Sequence, residues 1–346
     1  MKLTDILRHL TAALLLPLTL GLGSCDGMIY DDEGDCDPHY KVRFRYDMNM
    51  KYADAFSNEV LSVTLYVIDD ATGRIVRQIH EDGESLRSEG YLMDVDVAPG
   101  RYTLLAWCGE GTSSHFSIPE ADVHTGLTCS LGLKRHDQGY DYSDEDLGRL
   151  YHGRLNGAEF PDEQGTHIYD VRLTKDTNVI RVVLQHINGE PVEHEKFDFR
   201  IDDTNGRLDW DNSRLGITPV TYHPWHLSSG NAGIEDPVVR GSRTQTEYGC
   251  ALAELTTSRL FKEADKNDEP RLSVTLKDGG GQVLSIPLIR TLLLVKGHHN
   301  RKMSDQEYLD RQDEYNLVFF LDDGNRWINT TIYINSWQVV LQDADL

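Results

Sequence analysis

The chain has 346 residues with 57 acidic against 34 basic side chains, a formal net charge of −23. That surplus excludes a nucleic-acid partner, because a phosphate backbone is bound by clustered Lys and Arg that release counterions. A hydrophobic content of 39% with a mean hydropathy of −0.47 excludes a polytopic membrane protein and a disordered chain, and the length suits roughly two domains of about 100–200 residues each.

Residues 1–24 read as a secretion leader: Lys2 and Arg8 form a positive n-region, Leu10 to Leu22 an apolar h-region, and Leu22-Gly23-Ser24 set small residues ahead of Cys25. The apolar stretch is shorter than the roughly 20 residues that span a bilayer. Leu-Gly-Ser-Cys resembles a bacterial lipobox, which implies cleavage before Cys25 and lipid attachment at that residue. Each buried lipid methylene adds about 0.8 kcal/mol of membrane affinity, so two or three chains hold a protein durably. Residues 25–38, with Asp26, Asp31, Asp32, Glu33 and Asp35 beside Gly27 and Gly34, form an acidic tether. Acidic residues behind a lipidated cysteine also resemble the surface-export signals of Bacteroidia lipoproteins, implying the outer face of the outer membrane. Of the remaining cysteines, Cys36, Cys108, Cys129 and Cys250, the wide spacing indicates no specific disulfide and no stapled scaffold.

Tyr40, Val42, Phe44 and Tyr46 alternate with Lys41, Arg43 and Arg45, the period-two pattern of a strand with one buried face. Val60 to Ile68, the turn Asp69 to Gly73 and Arg74 to Ile79 predict a hairpin. Tyr91 to Val97 and Arg101 to Trp107 predict another around Pro99-Gly100, where proline presets φ and glycine supplies the positive φ of a type II turn. Gly109 to about Gln164 carries weaker strand signal and reads as long connections with one or two edge strands. A second strand-rich block opens at Ile168 to Leu173 and continues through Val179 to Ile187 and Phe197 to Ile201. Arg271 to Lys277 pairs with Val283 to Leu288 across Asp278 to Gly281, and Asn316 to Leu321 precedes Trp327 to Ile334. Ser304 with Glu307 matches a capping box and starts one short helix running to Asp313. The pattern defines an all-β chain of two sandwich domains, 39–163 and 164–346.

Cys25 to Asp32, the Lys41 to Asp47 strand with Asn49-Met50 behind it, and Ala98-Pro99-Gly100-Arg101-Tyr102 leading to Ala106-Trp107 resemble the FimB-type fimbrial anchor subunits of Bacteroidia. Arg259-Leu260, Pro287-Leu288, Tyr308 to Arg311, Asp313-Glu314-Tyr315, Phe319 to Asp322, Trp327 and Ile334 to Trp337 follow the same family in order. The resemblance covers nearly the whole chain after Cys25. It implies two transthyretin-like β-sandwich domains in tandem and a lipidated subunit at the base of a fimbria, fastening it to the outer membrane and limiting its length. The implied partner is a fimbrial shaft subunit, joined by donor-strand exchange, with Trp337 to Leu346 the candidate joining segment. It also implies that the first strand stays in place despite Arg43 and Arg45, since Arg-directed proteolysis belongs to the shaft subunits. No host receptor is legible.

No other constellation rises to chemistry, and the chain reads as a non-enzyme with no cofactor. Cys108, His115, His124 and Cys129 lack the close pairs of a zinc motif, and His298-His299 lie in a polar loop. Asp137, Asp141, Asp144, Glu145 and Asp146 do not fit a calcium loop and read as a solvated acidic stretch. Gly109-Glu110-Gly111 lacks the third glycine of a nucleotide loop. Trp210, Tyr222 and Trp225 are a candidate sugar-stacking set read as core packing, as are Trp107 and Trp337. The rival reading is a surface lipoprotein that binds glycan or host protein through exposed aromatics.

Overall fold

In the computed structural model, which describes residues 37–109, 115–234, 246–262, 269–279, 281–297, 300–335 and 337–340, the alternating Tyr40–Tyr46 segment is the first strand. The chain then runs β1 (Pro38–Arg45), β2 (Ser62–Asp69), β3 (Ile75–Asp82), β4 (Met93–Val95), β5 (Gly100–Gly109), β6 (Phe116–Ser117), β7 (Cys129–Leu131), β8 (Lys134–Arg135), β9 (Asp141–Ser143), β10 (Leu150–Phe160) and β11 (Gly165–Lys175). Seven of these strands are ordered β3-β2-β5-β10-β11-β1-β4. β11 joins β10 only through Leu173–Lys175, then runs parallel to β1 through residues 165–172. It therefore turns the sheet over on itself, and Val42, Phe44, Val63, Leu65, Leu104 and Val171 fill the space between the two leaves.

Gly153 marks the corner. A Cβ there would sit 2.6 Å from Leu173 Cδ2, 2.7 Å from Val171 Cγ1 and 2.9 Å from the Arg172 carbonyl. Gly153→Ala is expected to cost about 1–3 kcal/mol by overpacking, read as a lower urea midpoint at unchanged m value.

Two local expectations are corrected. β4 does not pair with β5 as a hairpin: it pairs with β1, while β5 lies between β2 and β10. Leu104, Ala106 and Cys108 face one core and Leu105 and Trp107 another. A strand buried on both faces takes a central place, which three-residue β4 could not flank along its length. The Pro99-Gly100 turn instead carries the chain between leaves, and Gly100 is outside the positive-φ set. The long strand β10 was hidden because a bulge between Leu155 and Ala158, with Gly157 at φ 64°, breaks its alternation.

The second half runs β12 (Thr177–His186), β13 (Phe197–Asp203), β14 (Arg207–Leu208), β15 (Val220–Tyr222), β16 (His226–Ile234), β17 (Thr246–Ser258), β18 (Arg271–Leu276), β19 (Gly281–Pro287), β20 (Glu314–Leu321), β21 (Trp327–Ile334) and β22 (Trp337–Val340). Two six-stranded sheets, β16-β17-β12-β20-β21-β22 and β19-β18-β13-β15-β9-β8, form the second sandwich. The β18–β19 hairpin pairs as the sequence indicates, and β20 and β21 pair with each other as well. Residue 163 lies in the turn between β10 and β11. Strand pairing places β11 with the first sandwich and β8 and β9 with the second, so the chain passes finally to the second at Asp176.

The predicted helix is Asp305–Arg311. Ser304 Oγ accepts from the Glu307 N–H at 3.0 Å, but the Glu307 carboxylate turns to Arg311 Nε at 2.9 Å, so only half of the capping box forms. Two further short helices, Phe56–Glu59 and Leu288–Leu293, were not anticipated. The latter follows Pro287, and its Leu288, Ile289 and Leu292 fall into the core. The sandwiches share a third cluster, in which Tyr66, Ile68, Leu105, Trp107 and Leu150 meet Leu127, Cys129, Leu208, Trp210 and Phe261.

Candidate assembly site and the junction between the sandwiches

β1 is held on both sides, by β11 in parallel and β4 in antiparallel register. Tyr40, Val42, Phe44 and Tyr46 are 3%, 0%, 2% and 1% exposed, each contributing about 1.5–3 kcal/mol on burial. Both ends are tied: Tyr40 Oη donates to the Pro161 carbonyl at 2.6 Å, and the Tyr46 N–H donates to Asp54 at 3.0 Å. On the outer face Arg43 grips Asp170 through two bonds of 2.5 and 3.0 Å, and Arg45 lies 3.4 Å from the same carboxylate. The hydrogen-bonded Arg43 guanidinium holds Asp170 below its usual titration range.

Asp176 sits where the chain passes between sandwiches and is fully buried. Its Oδ1 accepts from Asn212 Nδ2 at 3.0 Å and lies 3.7 Å from Arg259 Nε, and its N–H donates to the Leu150 carbonyl. Arg259 in turn forks onto Asp310 at 2.9 and 2.8 Å and donates to the Asn212 carbonyl. Burial pushes the Asp176 carboxyl up to about 7, against the opposing pull of Arg259. His152, stacked edge-on against Trp107 and bonded to the Trp210 carbonyl at 3.0 Å, is pushed down to about 3 by burial. The short helix completes the clamp: Arg311 donates to the Asp47 and Asn49 carbonyls just beyond β1 and stacks on Tyr52. Lys175 bonds Asp313 at 2.5 Å, and Tyr151 bonds Glu59 at 2.9 Å. Sequence reasoning noted Arg259 and Asp310 as motif letters and missed Asp176; nothing in their spacing announces the contact.

The candidate joining segment is half seen. Trp337–Val340 is the edge strand β22, antiparallel to β21, and residues 341–346 lie outside the described residues. Cys25, the acidic tether to Cys36, Glu110, Gly111 and His298-His299 also lie outside them, as does the Trp337 side chain. Cys108 and Cys129 belong to different apolar clusters, and burial raises both thiols. His124 bonds the Gly73 carbonyl at 2.9 Å, so the Cys/His set is dispersed. The acidic stretch is divided among basic partners, Lys134 with Asp144 and Glu145, and Arg135 with Asp141. Trp210, Tyr222 and Trp225 form no platform: Trp210 packs between the sandwiches beneath Arg154, Tyr222 is fully buried, and Trp225 is 39% exposed, against its reading as core.

Two fused β-sandwiches, with the first strand seated inside its sheet and β22 at a sheet edge among the described residues, define a subunit of the all-β, two-sandwich class. Residues 32–343 match the family model of the Fimbrillin-A associated anchor proteins Mfa1 and Mfa2, and the chain belongs to that family. It is 23% identical over 336 residues to the minor fimbrium anchoring subunit Mfa2 of Porphyromonas gingivalis, covering 96% of this chain and 94% of the relative. A Bacteroides thetaiotaomicron protein described as a candidate adhesin matches at 34% identity and TM-score 0.77, over 90% of this chain and all of its own. A second from that organism, described as a candidate polysaccharide-binding protein, matches at 29% and 0.72 over the same shares. The protein is thus a fimbrial anchor- or adhesin-like subunit of a structural, surface-associated family. No helix among the described residues is long and apolar enough to cross a membrane.

Proposed function

We propose that this chain is the lipid-anchored subunit at the base of a donor-strand fimbria, attaching the fibre to the outer membrane through Cys25 and limiting its length. The seat of β1 carries the reading. In donor-strand assembly an extended segment of one subunit completes the open sheet of another through main-chain bonds and alternating side-chain pockets. Here that position, between β11 and β4, is filled by the chain's own β1, with four aromatic or aliphatic anchors inward. A subunit whose slot holds its own strand accepts no further subunit there and ends the polymer. Support comes from the family and from the anchoring role named for the Porphyromonas relative. The edge strand β22 and the residues after it supply the joint with the shaft subunit, and residues 25–38 space the folded part from the lipid. None of these steps asks for a catalytic residue.

The test compares cell-bound and shed fimbriae in the native strain, a deletion strain and a Cys25→Ala strain. Shed fibres are expected in both mutants, and longer fibres in the deletion. Fimbriae unchanged in amount, length and attachment overturn the proposal and favour the rival, a surface lipoprotein that binds glycan or host protein.

A further inference from the structure

The outer face of the second sandwich holds a cleft that the anchoring role does not use. In β13 the alternation sends Phe197, Phe199 and Ile201 inward and Asp198, Arg200 and Asp202 outward. The ladder continues this outer row from Asp202 to Thr221 of β15 and Tyr142 of β9. The β8–β9 hairpin forms the edge of the same sheet. Its turn is closed by the Gly139 N–H to His136 carbonyl bond of 2.8 Å, with Gly139 at φ 89°, a conformation that favours glycine. Tyr140 stacks on His136 at 4.4 Å and 12°, and Tyr142 meets His136 and His223 edge-on at 5.8 and 5.7 Å. Between the hairpin and the ends of β13 and β15 lies a cavity of about 300 Å³ lined by Arg135, Tyr140, Asp141, Asp202, Asp203 and Thr221, at the small end of the usual ligand-pocket range.

The charges of this cleft decide what it suits. Arg135 bonds Asp141 at 2.8 Å, Arg200 bonds Asp202 at 3.1 Å, and Thr221 donates to Asp202 at 2.8 Å. Carboxylates paired in this way are poor ligands for a divalent cation and weak attractors of a basic peptide. They instead present acceptors and guanidinium donors side by side next to the Tyr140 ring, whose phenol burial raises above its ordinary value. Adjacent donors and acceptors match the vicinal hydroxyls of a sugar, and the ring face matches its C–H face.

We propose that this cleft binds a neutral hexose unit of a surface or host glycan, with Tyr140 as the stacking wall and Asp202 and Arg135 as the polar anchors. The proposal is independent of anchoring and leaves β1 and β22 untouched. The full chain, purified in detergent, is run through gels containing mannan, galactan or β-glucan, with poly-lysine titration as the charge control. Retardation by at least one neutral glycan is expected, weakened about 10-fold or more in Tyr140→Ala and in Asp202→Asn, with Trp225→Ala unchanged. Thermal melts of the variants separate lost binding from lost folding, and Tyr142→Phe should retain it. No retardation by any of the three glycans, equal retardation in Tyr140→Ala, or binding of poly-lysine alone overturns the proposal.

Discussion

Arg259→Met is expected to lower stability by about 3–5 kcal/mol at pH 8, because removing one partner of a buried ion pair leaves the other charge uncompensated. Arg259 is the cation facing Asp310 and Asp176, at 2.8 and 3.7 Å. The loss should shrink on acidification. Asp176, pushed up to about 7 in the fold against about 3.9 in an unfolded chain, is protonated in the native state but ionised in the unfolded state between those values. The native state binds the extra proton there, so this group's contribution to stability is full below about pH 4 and is lost as pH rises through 7. Asp176→Asn removes that slope. His152 opposes it: its native pKa of about 3 lies below the unfolded value, so its contribution is present above about 6.5 and lost as pH falls toward 3. Urea midpoints at pH 4.5, 6 and 8 for the native chain, Arg259→Met and Asp176→Asn check the pattern. An Arg259→Met loss that is equal at all three values would contradict the assigned coupling.

The elements legible in the sequence are those whose causes are local. The hairpins around Gly73 and Asp278, the alternation of β1 and the Ser304 cap each rest on residues within a few positions of one another, and each forms. The family was legible too, from motifs spread in order along the chain. What could not be read is set by distant pairing. The parallel match of Pro38–Arg45 with residues 165–172, the insertion of β10 beside β5, and the capture of β8 and β9 by the second sandwich join residues far apart, and turn chemistry carries no trace of them. The Pro99-Gly100 segment misled because a tight turn between two strands does not require that they pair with each other. In the acidic stretch after Asp137 the charge is conspicuous, and Tyr140, which lines the cleft, is not. At the junction, a charged residue at a strand end looks like any other until Asp176, Arg259 and Asp310 meet.

Phe44→Ala is expected to cost about 3–5 kcal/mol of stability, the usual range for deleting a buried phenylalanine, and to convert β1 from a protected strand into a protease substrate. Phe44 is 2% exposed and stacks on Phe56 at 5.7 Å, while its neighbours Arg43 and Arg45 reach the surface beside Asp170. An Arg-directed protease needs an extended, unpaired chain on both sides of the scissile bond, and in the native fold Arg43 to Arg45 are paired with β11 while β4 covers Tyr40 to Val42 just ahead of them. Cleavage therefore proceeds through an opened form whose population follows the free energy of opening. If β1 opens with the sandwich, a loss of 3 kcal/mol raises that population roughly 100-fold. The native chain should keep its N-terminus ahead of Pro38 during an incubation that nicks Phe44→Ala after Arg43 or Arg45, as mass spectrometry of the products reads directly. Equal cleavage of both proteins would mean that β1 leaves its slot without cost, and a chain that readily gives up its own strand could accept another subunit's in its place, which would remove the physical basis for ending the polymer here.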